Sequence, residues 1–299
     1  MGDNLVHAVA GAGGGIVSMA LTYPLITVST RTQVDKSAQK ASQVKTFQRI
    51  LAEEGVTGFY SGIKSALFGI AVTQGVFYYF YEMAKAGFVD QIDRPLTVGQ
   101  NMISGALAGT ATAVMTNPIW VVNLRQTVRR QSMESGTLDP QALSTRATIE
   151  LILKEDGVRG FWQGIVPALL LVVNPIIQFT IFERLKTAME KRYKVLSGLQ
   201  FFLLGAVSKL AATSITYPYI VIKSRSQLRK SKDASQRYNG VVDGLLKIIK
   251  HEGVLGLYKG IESKLVQSVL SSALTFAFKE ELYLSAVWLM ALLKIRAAQ

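Results

Sequence analysis

Residues 54–62 read EGVTGFYSG, and this stretch decides the fold because its pattern occurs three times in the chain. The second copy, at 156–164, reads DGVRGFWQG, and the third copy, at 252–260, reads EGVLGLYKG. All three follow the order acidic-Gly-x-x-Gly-x-aromatic-x-Gly, and we call each copy a glycine marker. A pattern that returns at a nearly constant interval is typical of an architecture built from internal repeats.

A second set of residues repeats in phase with the glycine markers. One proline lies upstream of each marker, with a threonine two positions before it and an arginine seven positions after it. The three sets are Thr22, Pro24 and Arg31, then Thr116, Pro118 and Arg125, and finally Thr216, Pro218 and Arg225. The two patterns together predict three homologous repeats, over residues 1–95, 96–196 and 197–299.

Each repeat contains two apolar segments, each close to the ~20 residues that a helix needs to cross a bilayer. The odd segments run through the prolines at 5–30, 100–122 and 200–225, and the even segments follow the markers at 63–82, 165–183 and 261–284. Helical spacing continues beyond Pro24, Pro118 and Pro218, so we expect these prolines to kink their helices rather than end them. Amphipathic stretches at 44–53, 148–154 and 241–249 predict short helices along the membrane surface. The sequence therefore predicts an all-α membrane protein with six transmembrane helices in three two-helix repeats.

The composition supports a membrane protein and argues against catalysis. Only 18% of the residues are charged, whereas about 25% is usual in soluble domains. The net charge of +13 lies mostly between apolar stretches, which favours contact with lipid headgroups or an anionic substrate over nucleic acid. The chain has no cysteine and two isolated histidines, so thiolate, zinc and Ser-His-Asp sites are not expected. We predict no enzyme activity, no metal and no cofactor.

The three repeats, with their prolines and markers, resemble the mitochondrial carrier family over nearly the whole chain. The resemblance implies a pseudo-three-fold carrier bundle that transports a solute by alternating access, works as a monomer, and binds membrane phospholipids at the glycine markers.

The family's signature Pro-x-acidic-x-x-basic-x-basic is incomplete in this chain. In the family these charges form a ring of ion pairs that closes one gate. Here the acidic position is occupied by Ile26, Trp120 and Ile220 in the three repeats. The first basic position is basic only in the third repeat, as Lys223. Gln33 and Gln227 match glutamines that brace the ring. We therefore expect a gate with weak ionic closure, in which apolar contact is a substitute.

The opposite gate is better preserved. The family pattern aromatic-acidic-x-x-basic on even helices is matched by Glu82 with Lys85 and by Glu183 with Lys186. In the third copy Glu280 fits the acidic position, whereas Lys279 and Tyr283 depart from the pattern.

Three stretches are similar to one branch of the family, the peroxisomal adenine-nucleotide carriers and above all their fungal ATP-carrying members. They are TYPLITVS at 22–29, NPIWVVNLR at 117–125 and LVVNPIIQF at 171–179. This resemblance implies exchange of cytosolic ATP for AMP or ADP across the peroxisomal membrane. Carriers of CoA, FAD or NAD share much of the pattern, and the mitochondrial inner membrane is the alternative location. A non-transporting membrane scaffold and a soluble nucleic-acid binder are the alternatives from other classes.

An asymmetric substrate needs residues at which the three repeats differ. Lys209 stands where the other repeats have Gly15 and Gly109, and a lysine inside an apolar segment requires water or an anionic partner. On the same argument we expect further contacts to phosphate, base or ribose from Lys264, Gln267, Asn174, Gln178, Gly69, Gln74 and Tyr78. Lys209 could instead reach the interface or pair within the protein, and Asn174 and Gln178 could bond between helices.

Overall fold

The computed structural model describes residues 2–35, 43–88, 97–129, 144–191, 197–228, 238, 240–271 and 273–274, with side chains from residue 17 onward. Every regular element in these ranges is a helix, which confirms the predicted all-α class. Repeat 1 contains α1 (Gly2–Val34), α2 (Gln43–Gly58) and α3 (Ile63–Ala86). Repeat 2 contains α4 (Val98–Arg129), α5 (Thr145–Asp156), α6 (Ile165–Leu170) and α7 (Asn174–Glu190). Repeat 3 contains α8 (Gly198–Gln227), α9 (Val241–Glu252) and α10, which is helical over 261–271 and 273–274.

The three repeated prolines lie inside α1, α4 and α8, as predicted, and none of them ends its helix. A proline cannot donate a backbone hydrogen bond, so it leaves the carbonyl four residues earlier without its helical partner. For Pro118 that carbonyl belongs to Val114, and the Trp162 indole N–H donates to it at 3.1 Å. The aromatic residue of the second glycine marker thus satisfies an oxygen that the proline leaves free.

The residue before each proline ties the odd helix to the glycine marker of the same repeat. Tyr23 and Tyr217 donate their hydroxyls to the carbonyls of Ser61, at 3.1 Å, and Lys259, at 3.0 Å. In repeat 2 the Asn117 amide donates to the equivalent carbonyl of Gln163 at 3.2 Å. Each marker therefore fixes where the second long helix of its repeat begins.

The fourth predicted segment, 165–183, is not one continuous α-helix. A 3₁₀ turn at Leu171–Val173 separates α6 from α7. Pro175 lies at the start of α7 and cannot donate to the carbonyl of Leu171, four residues earlier. The tighter turn places Asn174 at the break, where its side chain meets α8.

Polar residues are buried and large apolar residues are exposed, which is the reverse of a soluble domain. In α1 the buried side chains include those of Ser18, Thr22, Thr27 and Ser29. The exposed ones along the long helices include Phe68, Tyr79, Leu203, Ile215 and Val266. Apolar surface of this extent indicates a lipid or partner environment.

Two described stretches, Val158–Glu190 and Leu199–Gln227, are long and apolar enough to span a membrane by composition alone. Glycine and threonine residues such as Gly105, Gly109 and Thr112 lower the hydropathy of α4. A helix that lines a cavity needs an apolar face on one side only. The last ten residues of the sixth predicted segment, 275–284, lie outside the described ranges.

Candidate functional site

The C-terminal ends of α1, α4 and α8 meet at one end of the bundle, which we call the odd-helix end. Three arginines join them in a cycle. Arg31 Nε donates to the carbonyl of Thr127 at 2.9 Å, Arg125 Nε to Gln227 at 3.2 Å, and Arg225 Nε to Gln33 at 2.8 Å. Each repeat thus holds a main-chain oxygen of the next, and repeat 3 closes the cycle on repeat 1.

The same three arginines bind the acidic residue of their own glycine marker. Arg31 pairs with Glu54, Arg125 Nη2 lies 2.7 Å from Asp156, and Arg225 Nη2 lies 2.9 Å from Glu252. Both partners are at most 7% exposed in every pair. We call each unit of arginine, carboxylate and main-chain oxygen a clasp. Sequence reasoning missed the clasps, although the in-phase repetition of Arg and acid was their signal.

Glu252, the acid of the third marker, has two cationic partners. Besides Arg225 it accepts from Lys259, whose Nζ lies 2.7 Å away. Burial alone would raise the pKa of the Glu252 carboxyl, but hydrogen bonds and charge from Arg225 and Lys259 lower it below the ordinary value. The carboxylate therefore stays ionised throughout the neutral range.

Close main-chain contact between repeats also depends on the last glycine of each marker. Gly260 has a φ of +81°, and a Cβ built on it would lie 2.6 Å from the carbonyl oxygen of Ser29 on α1. Gly62 and Gly164 approach the main chains of α4 and α8, since a Cβ would lie 3.3 Å from the carbonyl oxygen of Asn123 and 3.0 Å from that of Lys223. A side chain at any of these positions would push two repeats apart.

The predicted gate residues at the odd-helix end divide into an apolar and a polar set. Ile26 and Trp120 pack against one buried cluster formed by Met19, Tyr23 and Ala66, whereas Ile220 packs against a different cluster around Tyr217.

The two predicted bracing glutamines both connect odd helices of different repeats. Gln33 accepts from Ser224 at 2.8 Å and donates to Tyr217 at 3.1 Å, which links α1 to α8. Gln227 donates to Asn117 at 3.2 Å, which links α8 to α4.

The charges predicted for the opposite gate do not bridge helices in the described part of the chain. Lys85 lies 3.4 Å from Glu82 within α3, and Lys186 lies 3.9 Å from Glu190 within α7. Glu183 makes no ion pair with another described helix, and Glu280 lies outside the described residues. The structure thus combines joined odd helices at one end with charges that pair only locally at the other.

Four of the predicted substrate residues form two lysine–amide pairs. Lys209 Nζ lies 3.5 Å from the Asn174 amide oxygen, and the Asn174 amide nitrogen donates to Thr216 at 2.6 Å. Lys264 Nζ donates to the Gln267 amide oxygen at 3.0 Å. The charge of Lys209 acts on Lys264, which couples the two pairs electrostatically.

The other predicted substrate residues do not join this group. Gly69 faces α4, because a Cβ there would lie 3.1 Å from Ile119 and 3.6 Å from Trp120. In this conformation the space that we expected a substrate ring to use is occupied by protein side chains. Gln74 and Tyr78 are exposed on α3, and Gln178 is partly buried on α7.

Comparison with known proteins agrees with this arrangement of repeats. The family model described as mitochondrial carrier protein matches residues 2–91, 94–193 and 194–285. The peroxisomal nicotinamide adenine dinucleotide carrier of Arabidopsis thaliana is 37% identical over 94% of this chain and 96% of its own length. Peroxisomal membrane protein PMP47B of Candida boidinii is 36% identical, covering 94% and 86%, and PMP34 of Mus musculus is 33% identical, covering 94% and 92%.

Members of this family are multi-pass membrane transporters rather than enzymes. The relatives just named are peroxisomal membrane proteins, which gives the peroxisomal membrane as the location. With a family match over nearly its whole length, in three consecutive copies, the chain belongs to the mitochondrial carrier protein family.

Proposed function

We propose that the protein is an antiporter that exchanges adenine nucleotides, cytosolic ATP for AMP or ADP, across the peroxisomal membrane by alternating access. The observation that carries the proposal is the pairing of two lysines on long apolar helices with neutral amides, Lys209 with Asn174 and Lys264 with Gln267. We also propose that the transporter works as a monomer, as the resemblance to the family implies.

We propose an anionic substrate because the amides do not neutralise the positive charges of the two lysines. A lysine within a membrane helix is costly unless it meets water or an opposite charge. An amide oxygen accepts a hydrogen bond but leaves the positive charge uncompensated. A phosphate group is a suitable counter-ion, since lysine binds phosphate as a point charge. The remaining amide donors and acceptors of Asn174 and Gln267 suit the polar edge of a base or a ribose hydroxyl.

NAD is the second candidate substrate, and a specific comparison favours it. The Arabidopsis relative that is 37% identical carries the name of a nicotinamide adenine dinucleotide carrier. NAD contains an adenine nucleotide and a pyrophosphate, so the same lysines would serve it. CoA and FAD share that half of the molecule and remain alternatives on the same chemical ground.

Membrane phospholipid is the proposed partner at the boundary between repeats 1 and 2. A cavity of about 340 Å³ lies there between α3, α4 and α5. Its walls are mostly apolar, with Phe68, Ile119 and Phe161 among them, and Lys64 also contributes. An acyl chain fits the apolar wall, and an anionic headgroup fits the lysine.

Reconstitution of the purified full chain into liposomes preloaded with AMP tests the main proposal. We expect uptake of labelled ATP, and we expect Lys264→Gln to reduce it about tenfold or more, because one charge-assisted hydrogen bond contributes ~1.5–3 kcal/mol. Lys154→Gln, which removes an exposed lysine of α5, is the matched control and should transport normally. Uptake of NAD, CoA or FAD without ATP would reject ATP in favour of that substrate. Uptake of none of the four would support a non-transporting scaffold.

A further inference from the structure

We propose that Lys223 is a ligand for a substrate phosphate and not a residual gate charge. It completes a column of three cations, Lys209, Lys264 and Lys223, that runs from the two lysine–amide pairs to the odd-helix end. The inference rests on the proposed anion exchange and deepens it, because it assigns a second phosphate position to the substrate.

The first observation is that Lys223 breaks the three-fold pattern of its own position. The equivalent residues, Ser29 and Asn123, each donate to a glycine carbonyl of the neighbouring repeat, Gly260 at 2.9 Å and Gly62 at 2.9 Å. By symmetry Lys223 should donate to the carbonyl of Gly164, which lies next to α8. Lys223 donates no such bond in the part of the chain that the structure describes. Its side chain is therefore not held by the contact that its two counterparts share.

The second observation is the lack of a carboxylate for Lys223 at this level of the bundle. At the position where the family has an acidic residue, the three repeats of this chain have Ile26, Trp120 and Ile220. The marker carboxylates Glu54, Asp156 and Glu252 are all engaged by the clasp arginines. No ion pair with Lys223 occurs among the described residues, and a partly buried cation without a counter-ion is unfavourable.

The third observation places Lys223 beside the candidate substrate site. Lys209 and Lys223 are 14 residues apart on α8, close to four helical turns, so they lie on nearly the same face of the helix about 21 Å apart. The charges of both lysines act on Lys264. Lys264 is therefore repelled by both cations. Without substrate the column is electrostatically destabilised, and a polyanion that meets more than one lysine relieves the repulsion.

The chemistry of the column selects a class of ligand. A monophosphate has one anionic group and can meet the lysines at one level only. A diphosphate, a triphosphate or a dinucleotide pyrophosphate carries charge over a longer distance and can reach Lys223 as well. Gln227 lies one helical turn after Lys223 on α8, and its carbonyl closes one clasp. A phosphate bound to Lys223 would therefore lie at the closed gate.

Ligand-induced stabilisation of the full chain in detergent tests this assignment without any transport step. The unfolding temperature is measured against increasing AMP, ADP, ATP and NAD for the native chain, Lys223→Gln, Lys223→Arg and the Lys154→Gln control. A ligand that binds only the folded state raises the unfolding temperature according to its Kd. We expect Lys223→Gln to weaken ATP binding about tenfold and AMP binding less than about threefold. Lys223→Arg should keep most of the ATP affinity.

A merely structural role for Lys223 predicts a different result. Removal of an unpaired charge should raise the unfolding temperature of the ligand-free protein, whereas removal of a structural contact should lower it. Equal loss of AMP and ATP affinity, unchanged ATP affinity, or failure of Lys223→Gln to fold would each overturn the assignment while leaving the proposed exchange intact. If no nucleotide stabilised the native chain, the proposed function and the role of Lys223 would both fail.

Discussion

At the scale of single residues, the three clasps differ by one methylene group. Glu54 and Glu252 each meet their arginine with both carboxylate oxygens. Asp156 is shorter and reaches only Nη2 of Arg125. Arg125 Nη1 is consequently buried without a hydrogen-bond partner among the described atoms, and an unsatisfied buried donor costs about 1–3 kcal/mol. The second clasp should therefore be the weakest.

Replacing Asp156 with glutamate should strengthen that clasp. We expect Asp156→Glu to raise the free energy of unfolding by about 1 kcal/mol, because the added methylene lets the carboxylate reach Nη1, and to raise the Tm by ~2 °C. Thermal unfolding in detergent measures the change. The reciprocal variant, Glu54→Asp, should lower the Tm. A lower Tm for Asp156→Glu would show that this clasp has no room for the longer side chain.

Acid should weaken the clasp of repeat 3. Because the pKa of Glu252 is lowered on folding, its ion pairs stabilise the protein fully above the ordinary glutamate value of ~4.3. That stabilisation is lost as the pH falls through the lower folded pKa. We expect Glu252→Gln to cost about 3–5 kcal/mol at neutral pH and progressively less as the pH falls below ~4. Parallel Tm measurements from neutral to acid pH check this, and a constant difference between the two proteins would contradict it.

At the scale of elements, sequence periodicity located the helices better than it located their interruptions. The prolines inside α1, α4 and α8 and the short helices α2, α5 and α9 were predictable, since each signal appears three times. The break between α6 and α7 was not, because Pro175 has no counterpart at the same place in the other two repeats. Repetition reveals what the repeats share, whereas a feature of one copy resembles ordinary variation.

The contacts between helices of different repeats can be tested at one glycine. Gly260→Ala should lower the free energy of unfolding by about 1–3 kcal/mol, because the new Cβ meets the Ser29 carbonyl at 2.6 Å in a left-handed conformation. Gly205→Ala on α8 is the control, since its Cβ would meet nothing within 4 Å and alanine favours a helix. Chemical or thermal unfolding of both variants is the measurement. Equal behaviour of the two would argue against close packing at the marker.

At the scale of the whole molecule, the odd-helix end closes without the ion-pair ring of the family. Restoring one pair should make that gate harder to open. Ile26 packs against the buried cluster that contains Tyr23, and the Asn123 amide lies 3.4 Å from the Tyr23 hydroxyl, so the two positions are near one another. We expect Ile26→Glu with Asn123→Lys to slow nucleotide exchange about fivefold to tenfold, which corresponds to ~1–1.4 kcal/mol in the barrier.

The single substitutions are the controls for this double variant. Each adds one unpaired charge to an apolar contact, so each should lower the Tm, and the combination should recover part of that loss. Liposome exchange rates measured beside the Tm separate gating from stability. Native exchange rates in a stable double variant would count against a gate with weak ionic closure.

The sequence predicted that the ion-pair ring is absent, but it could not predict what joins the odd helices instead. Each clasp arginine was visible as a repeated residue, yet its partners on the next repeat are carbonyl oxygens of Thr127, Gln227 and Gln33. Every residue has such an oxygen, so no sequence pattern marks it. The lysines of the two lysine–amide pairs were easier to propose as site residues, because a lysine in an apolar segment stands out in the sequence, but their pairing with Asn174 and Gln267 was not predicted.

A main-chain acceptor has a consequence for how such transporters diversify. Substitution of Thr127 or Gln33 leaves the carbonyl in place, so mutation can change nearly every side chain around the closed gate without removing the bonds that close it. Closure by side-chain ion pairs needs two compatible residues to persist together through evolution. A bundle held by its backbone allows the neighbouring positions to drift one at a time, and residues such as Lys223 then become available for new substrates.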